Sequence, residues 1–515
     1  MKEHTLIRAA YLCAVLSQIT AGDVTDLLKY DRKENTITVE RDLQCSHQMS
    51  RVYHEDVITP FPPNLVGEWT SVRCEVRPGP QFLLRKYRFY EDSRFSAIQY
   101  YYEDSRCKRP MYTLLATGSY FARHPSWILA GATEMDYQLN HVRIMPATDR
   151  MARLLTNKVN ASCPSYANAD WKKAAWHDLF SYIEIPDKDY PEEDAVLLED
   201  KDCLSAISFS MHELQLLRLE IRKRHHAAEK RLLLGDIHTE PSERRSYRPT
   251  GFQEPLVYMD QTDNCPVCSA LISSDEYHPP RLRTHHHPTK RVHLTGSWVS
   301  TECETRPNGV FITRHLTFSD DDRTWQGHYY HFLDGRCRRP QFTAYVRGKY
   351  TYVGGSKVID GAHQIDFQVL ESRVKATDPE VVRSLNDPLT GCGSRQWLID
   401  SEQDITAAGG CRALGIRLPH TEYELVRVEK RHHALLLYFG QRPTFGAVFS
   451  PWKRPTSFQN PLVKCTDGTA MVAPSYGHRV MAMAKRADGV ASQRSWHPAL
   501  FVVSLSLAIS SALIK

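Results

Sequence analysis

The chain has 515 residues, of which 42% are hydrophobic, 24% charged and 10% aromatic. These values are typical of a globular protein with two or more domains. The formal net charge is only +5, from 65 basic and 60 acidic residues, so the composition gives no reason to expect a partner that is a nucleic acid.

The N-terminus has the pattern of a secretory signal peptide. Lys2 and Arg8 precede an apolar stretch over residues 9–16, and small residues at 20–22 follow as a cleavage site. We therefore predict a signal peptide over residues 1–22; the alternative interpretation is a buried N-terminal helix.

A long internal repeat begins at Gly67. The phrase "GEWTSVRCEVRPGP" (67–80) returns as "GSWVSTECETRPNG" (296–309). The period of roughly 230 residues is far longer than the roughly 20–50 residues of a solenoid unit, so the pattern indicates a tandem duplication of a whole domain. We predict a first domain over residues 45–265 and a second over 268–465.

Other segments of the two copies align as well. "FLLRKYRF" (82–89) matches "FITRHLTF" (311–318) without a gap, and we align Tyr100-Tyr101 with Tyr329-Tyr330. One inserted residue is then needed before the next cysteine of each copy. The alignment therefore predicts the same strands in both copies.

Cysteine usage fits an oxidising compartment. Of thirteen cysteines, Cys13 lies in the signal peptide, which leaves twelve, six in each copy. They are Cys45, Cys74, Cys107, Cys163, Cys203 and Cys265 in the first copy and Cys268, Cys303, Cys337, Cys392, Cys411 and Cys465 in the second. We expect three disulfides within each domain, with the connectivity left open. Asn160, in an Asn-Ala-Ser triplet, is a candidate glycosylation site.

Each copy reads mainly as β-structure. Residues 85–104 and 314–332 each contain two aromatic runs around a polar turn, which predicts a hairpin, and residues 421–440 predict another. The best helix candidate covers residues 171–184. The predicted fold class is mainly β: a tandem duplication of an antiparallel β-barrel-like domain with few helices, stapled by disulfides.

The C-terminus is a predicted membrane-anchoring segment, residues 498–515, which a polar linker over 466–497 precedes. The segment is apolar from Ala499 to Ile514, short for a bilayer span of roughly 20 residues. Small residues and a polar spacer before it are typical of a GPI-attachment signal; a single-pass helix is the alternative. The predicted location is the extracellular face of the cell membrane.

Catalytic and metal-binding patterns are absent from the sequence. "MHELQ" (211–215) lacks the second histidine of a zinc-protease helix, and no nucleophile elbow or phosphate loop occurs. The histidine pairs at 225–226 and 432–433 are predicted at exposed hairpin tips, and a zinc site at His285–His287 has no further support. We expect no enzymatic activity, no cofactor and no metal.

The chain resembles the adenomatosis polyposis coli down-regulated family. The resemblance rests on the paired "GxWxSxxCExRP" phrases, on "LGDIHT" (234–239) and on "LPHTEYE" (418–424), and it covers roughly residues 45–465. Members are membrane-tethered glycoproteins that dampen Wnt signalling. The resemblance implies two β-barrel-like domains, binding to Wnt proteins and to low-density-lipoprotein-receptor-related co-receptors, and self-association as a homodimer.

Aromatic and apolar residues on the predicted strands are candidate ligand contacts. A barrel of eight strands can hold one small ligand, and Wnt proteins carry a fatty acyl chain. The predicted acyl-chain residues are Tyr87, Phe89, Tyr100, Tyr101, Leu316, Phe318, Tyr329 and Tyr330.

Three alternatives to this site stay open. The same side chains could fill a barrel core, which we favour for Trp69 and Trp298, whose Gly-x-Trp settings resemble the first strand of lipocalins. The protein could also be a lipocalin-like extracellular lipid-binding protein that does not act on Wnt. The third alternative is an enzyme of unrecognised type.

Overall fold

Two eight-stranded barrels, one in each copy of the repeat, organise the molecule. A computed structural model describes residues 34–163, 169–185, 196–224, 227–261, 265–283, 292–320, 323–389, 392, 396–431, 434–444 and 450–465. The predicted signal peptide, the C-terminal linker and anchor segment, both histidine pairs and His285–His287 lie outside these residues. Within the described residues, no helix combines the length and the apolar character that a membrane crossing needs.

The first copy contains all twelve strands of one sheet. Its elements are α1 (Glu34–His54), β1 (Val57–Ile58), β2 (Gly67–Thr70), β3 (Glu75–Arg77), β4 (Gln81–Phe89), β5 (Arg94–Tyr102), β6 (Pro110–Pro125), β7 (Thr133–Pro146), α2 (Asp149–Ser162), β8 (His177–Ile185), β9 (Val196–Asp202), β10 (Leu216–Arg224), β11 (Ala227–Leu234) and β12 (Leu256–Tyr258). Short 3-10 turns link several of them.

The second copy repeats this order with small differences. Its elements are α3 (Pro266–Ile272), β13 (Gly296–Ser300), β14 (Glu304–Arg306), β15 (Val310–Ser319), β16 (Thr324–Phe332), β17 (Pro340–Gly355), β18 (His363–Ala376), α4 (Pro379–Leu385), β19 (Glu402–Asp404), β20 (Gly410–Cys411), β21 (Ile416–Arg417), β22 (His420–Arg431), β23 (Ala434–Phe439) and β24 (Leu462–Lys464). All three predicted hairpins are present, as β4–β5, β15–β16 and β22–β23.

Both sheets close on themselves. In the first, β2, β4, β5, β6, β7, β10, β11 and β12 form a ring that β12–β2 and β7–β10 pairing completes. The second ring consists of β13, β15, β16, β17, β18, β22, β23 and β24, and β24–β13 pairing completes it. All pairings are antiparallel, so the predicted fold class is confirmed. Eight strands leave an interior that side chains can just fill, or that can hold one small ligand.

The equivalent tryptophans of the two copies belong to the barrel cores. Trp69 and Trp298 are both fully buried, and their indole N–H groups donate to the carbonyls of Leu65 at 2.7 Å and Leu294 at 2.6 Å. A buried Trp needs such an acceptor for its N–H group. The favoured structural interpretation of these two residues is therefore confirmed.

The register of β5 and β16 corrects our alignment of the copies. Tyr100 pairs with Leu84, and it is Tyr330, not Tyr329, that pairs with the equivalent Thr313. The extra residue of the second copy lies in the β15–β16 turn, earlier than the alignment assumed. Because successive side chains of a strand point to opposite faces, this one-residue shift changes which tyrosines face the interior.

The predicted helix over residues 171–184 is wrong, because most of this segment is strand β8. Val142 of β7 pairs with Phe180, and Leu179 and Phe180 are buried. Pairing with a strand that is already in place outweighs the weak helical pattern of a short segment. The long helix of this region is α2, whose Met151, Leu155 and Val159 join the core of the first barrel.

The disulfides correct our expectation of how the cysteines pair. Two bonds lie within each copy: Cys74–Cys107, Cys163–Cys203, Cys303–Cys337 and Cys392–Cys411. The other two, Cys45–Cys465 and Cys265–Cys268, join the start of one copy to the end of the other. The prediction of three disulfides within each domain is therefore wrong. The number of cysteines in each copy could not show that two of the bonds join one copy to the other.

The exchanged bonds follow from where the helices pack. Helix α1, which opens the first copy, packs its Cys45 and Met49 against Val299 and Tyr438 of the second barrel. Helix α3 opens the second copy, and its Leu271 packs against the outer wall of the first barrel. Each copy thus covers the barrel of the other.

Candidate ligand-binding site

The interior of the first barrel is filled by a polar network around Glu213. Tyr87 donates to this carboxylate, Gln99 donates to it at 3.2 Å, and Arg77 pairs with it at 2.9 Å. The Tyr101 hydroxyl donates to the side-chain amide oxygen of Gln99 at 2.8 Å. Burial alone would raise the pKa of Glu213, but the neighbouring guanidinium groups and hydrogen bonds lower it, so the carboxylate stays ionised.

Little free space remains in this barrel. Tyr87 is completely buried, together with Phe89 and Tyr101 in one continuous apolar core. The cavity found beside Tyr101 and Tyr112 measures only about 20 Å³. A ligand could therefore enter the first barrel only if the Glu213 network were disrupted.

The second barrel has different residues at the equivalent positions. By strand register, Leu316 replaces Tyr87 and Tyr329 replaces Gln99, so the central hydrogen bonds of the first barrel cannot form. A cavity of about 220 Å³ lies here. Its apolar wall consists of Val310, Ile312, Leu316, Phe318, Trp325, Tyr329, Phe367 and Phe439.

The remaining lining residues of this cavity are polar or charged, and we call this group its polar end. They are Arg306, Arg314, His331, Glu422, Glu424, Arg442 and Gln459. An apolar wall with a few convergent polar groups is typical of sites for small organic ligands. The cavity is therefore suited to an amphipathic molecule.

Two glutamates at the polar end differ in ionisation. Burial would raise the pKa of Glu422, but Arg442, which donates at 2.5 Å, and His420 at 2.7 Å lower it to about 2. Two residues along the same strand, burial and the charge of Glu422 raise the pKa of Glu424 to about 7. The first is thus an anion at neutral pH, while the second exchanges a proton there.

Burial lowers the pKa of two basic side chains at this end. Burial, with the nearby guanidinium groups of Arg314 and Arg442, lowers the pKa of Arg306 to about 10 although Glu304 accepts from it at 2.9 Å. Burial and the charge of Arg306 lower the pKa of His331 to about 4. His331 is therefore neutral at physiological pH, and Arg306 is a cation whose charge is incompletely compensated.

The structure separates the eight predicted acyl-chain residues into three groups. Leu316, Phe318 and Tyr329 line the second-barrel cavity, whereas Tyr87, Phe89 and Tyr101 belong to the filled first barrel. Tyr100 and Tyr330 lie outside their barrels: Tyr100 packs against Leu271 of α3, and Tyr330 packs beside Tyr53 of α1. These two do not share a cavity with the others.

Sequence reasoning missed most of the polar end and part of the apolar wall. Phe367 comes from β18, far from the predicted hairpins. Phe439 ends the third predicted hairpin and Arg442 follows it, but the aromatic runs of the other two hairpins did not point to them. The alternation along β15 and β16 could have excluded Tyr330, had the one-residue insertion been placed in the turn. Among the described residues, no group of three or more His, Cys, Asp or Glu is arranged to hold a metal ion.

A second cavity, of about 110 Å³, lies between the two barrels; we call it the seam cavity. Equivalent segments of both copies line it: residues 73–78 and 304–307, and residues 252–254 and 458–460. Arg306, Arg442 and Gln459 line both this cavity and the one inside the second barrel. The polar end of the barrel cavity therefore adjoins the seam.

Fold and site together define a tandem β-barrel protein, stapled by six disulfides, in which one barrel is filled and the other holds an amphipathic cavity. Such disulfides are typical of extracellular or secreted proteins. A comparison with family models agrees with this architecture. The model described as Adenomatosis polyposis coli down-regulated 1 matches residues 44–283 and again residues 284–473, so the chain belongs to that family.

Proposed function

We propose that this protein is a non-catalytic inhibitor of Wnt signalling at the cell surface, and that the second barrel takes up the Wnt acyl chain. The observation that carries the lipid part is the hollow, apolar interior of the second barrel beside the filled interior of the first. Family membership supports the Wnt part. An acyl chain held in this cavity would be hidden from Wnt receptors.

The size of the cavity is compatible with part of an acyl chain. Its 220 Å³ exceeds the roughly 150 Å³ that holds a benzene-sized ligand but is below the roughly 300 Å³ of typical ligand sites. The cavity would therefore enclose only part of a long chain. Burying ten methylenes would contribute about 8 kcal/mol before ordering costs, which corresponds to about micromolar affinity.

The remaining parts of the proposal concern partners and location. Binding to low-density-lipoprotein-receptor-related co-receptors, self-association and a C-terminal membrane anchor follow from the family resemblance and the sequence. Tethering beside the receptors would raise the effective concentration of the inhibitor, so moderate affinity for the acyl chain would suffice.

The test is binding of acylated and non-acylated Wnt to the purified protein. We expect the acylated form to bind more tightly. Equal affinity for the two forms would contradict the acyl-chain mechanism, and failure of both forms to bind would contradict the Wnt assignment. Binding of free lipids without any effect on Wnt signalling would favour the alternative, an extracellular lipid-binding protein.

A matched variant makes this test more specific, because its substitutions are taken from the interior residues of the filled first barrel. The triple change Leu316→Tyr, Tyr329→Gln and His331→Tyr copies the interior residues of the first barrel into the second. The new tyrosine at position 316 would lie near Glu422, as Tyr87 lies near Glu213. We expect loss of the preference for acylated Wnt with retained folding; Thr317→Val, on the neighbouring outward position, is the control. A fully active triple variant would contradict the assignment of the cavity.

A further inference from the structure

The seam cavity carries buried guanidinium groups whose donors are not all used. Arg77, Arg306 and Arg427 line it, and within the described residues the Nε–H of each has no hydrogen-bond partner. Arg77 is more than nine-tenths buried. A buried donor without an acceptor is destabilising, so a ligand that supplies acceptors here would recover that loss.

The carboxylates around the seam have partners other than the three Nε–H groups. Glu75 pairs with Arg85 at 2.9 Å, Glu254 pairs with Arg73, and Glu304 accepts from Arg314 at 2.8 Å and from an Nη–H of Arg306 at 2.9 Å. Asp236 accepts the backbone N–H groups of Thr250 and Gly251, both at 3.0 Å. These acids therefore leave the three Nε–H groups available to an incoming anion.

Position links the seam to the apolar cavity. Arg306 and Arg442 face both spaces, so a head group in the seam and an apolar chain in the second barrel would belong to one continuous ligand. Guanidinium groups bind carboxylate and phosphate oxygens especially well because their donors match the spacing of two oxygens. A volume of about 110 Å³ suits a small head group of this kind.

We propose that the seam cavity binds the oxyanion head group of a single-chain lipid, a fatty-acid carboxylate, while the lipid chain occupies the second barrel. The inference rests on the proposed lipid-binding function of that barrel. It adds a ligand class, free fatty acids, that would compete with acylated Wnt. The acyl chain of Wnt is bound as an ester and has no anionic end, so it would use the barrel without the seam.

The experiment compares a long-chain fatty acid with its methyl ester on the purified full-length protein by isothermal titration calorimetry. We expect the acid to bind about tenfold more tightly or better, which is the size of one charge-assisted hydrogen bond. The ester has no anionic head group, so its affinity measures binding in the barrel alone. The ratio of the two affinities therefore measures the contribution of the seam cavity. Inorganic phosphate alone should compete with the acid and leave the ester unaffected.

Two seam variants and one control complete the design. Arg427→Gln should reduce the acid-to-ester ratio severalfold without changing ester affinity. Arg306 lines both cavities, so Arg306→Gln should reduce acid affinity severalfold more than ester affinity. Arg383→Gln, at an exposed position on α4, should leave the ratio unchanged. Thermal unfolding would verify that each variant is folded, and two independent variants keep the test valid if one is not.

The outcomes separate the two proposals. Equal affinity for acid and ester, phosphate competition against both, or an unchanged ratio in both seam variants would overturn the seam site while leaving the barrel function intact. If neither acid nor ester binds, the lipid function of the barrel fails together with the seam inference.

Discussion

The two barrels close with equivalent strands, yet one is filled and the other is hollow. In the first, Tyr87 and Gln99 converge on Glu213, whereas in the second Leu316 and Tyr329 occupy the equivalent strand positions. Hydrogen-bonded polar side chains fill one interior. The replacement of Tyr87 by Leu316 and of Gln99 by Tyr329 prevents the same arrangement in the other. The two copies thus share the same barrel of strands, and a few interior residues make one barrel filled and the other hollow.

Outside the barrels the two copies are alike, because each packs equivalent segments against the barrel of the other. The loop residue Leu129 of the first copy packs against Phe311 of the second barrel, and its equivalent Ile359 packs against Phe82 of the first. Helices α1 and α3 are exchanged in the same manner. The two copies therefore cover each other in the same way while their barrel interiors differ, and the following predictions test that comparison.

The largest expected effect comes from the exchanged disulfide that spans the chain. Cys45–Cys465 joins residues 420 apart, whereas Cys265–Cys268 joins residues 3 apart. In the loop-entropy model a loop of about 400 residues is worth about 6 kcal/mol and the shortest loops about 2 kcal/mol or less. Replacing both members of the first pair by serine should lower the free energy of unfolding much more than the same change in the second pair, as measured by denaturant unfolding.

Peptide mapping under non-reducing conditions is the independent check on this prediction. It should recover Cys45 linked to Cys465. Recovery of Cys45 linked to another cysteine of the first copy would contradict the exchange of helices and restore two self-contained halves.

The second effect compares the two equivalent glutamates. Glu213→Ala would leave Arg77 buried without its partner and remove the acceptor of Tyr87, which we expect to cost about 3–5 kcal/mol. Glu422→Ala should cost less, because its partner Arg442 is partly exposed and can turn to water. Equal losses of unfolding free energy would mean that the interiors do not differ as described.

The smallest effect is a pH dependence in the second barrel. Because the folded pKa of Glu424 is raised from 4.5 to about 7, its contribution to stability is present below pH 4.5 and is lost as the pH rises towards 7. The groups that face it are Glu422, Arg442 and Arg314. Glu424→Gln should therefore be roughly 2–3 kcal/mol more stable than the unmodified protein above pH 7, and equal to it near pH 4.

The neighbouring Glu422 supplies a control of opposite sign. Its folded pKa is lowered to about 2, so its stabilisation is present above pH 4.5 and lost as the pH falls towards 2. Glu422→Gln should accordingly destabilise the protein at neutral pH. Thermal melts of both variants between pH 4 and 8 would measure this, and a Glu424→Gln variant without gain at pH 8 would contradict the raised pKa.

The sequence alone was sufficient for the duplication, the hairpins and the burial of Trp69 and Trp298. These features depend on neighbouring residues in the chain: alternating apolar side chains, turn residues and repeated phrases. The same local reasoning failed for residues 171–184, where pairing with β7 decides the structure.

Only the tertiary structure decided which cysteines bond, which tyrosines face inward and which barrel is hollow. Cys45 and Cys465 meet because each copy packs against the other, and no local pattern encodes that arrangement. The sequence alignment equated Tyr100 with Tyr329, but the two lie on opposite faces of their strands because the second copy has one more residue in the β15–β16 turn. Only the strand register reveals this insertion. The cavity exists because side chains from distant strands fail to fill a closed ring, and packing of that kind is a property of the assembled barrel.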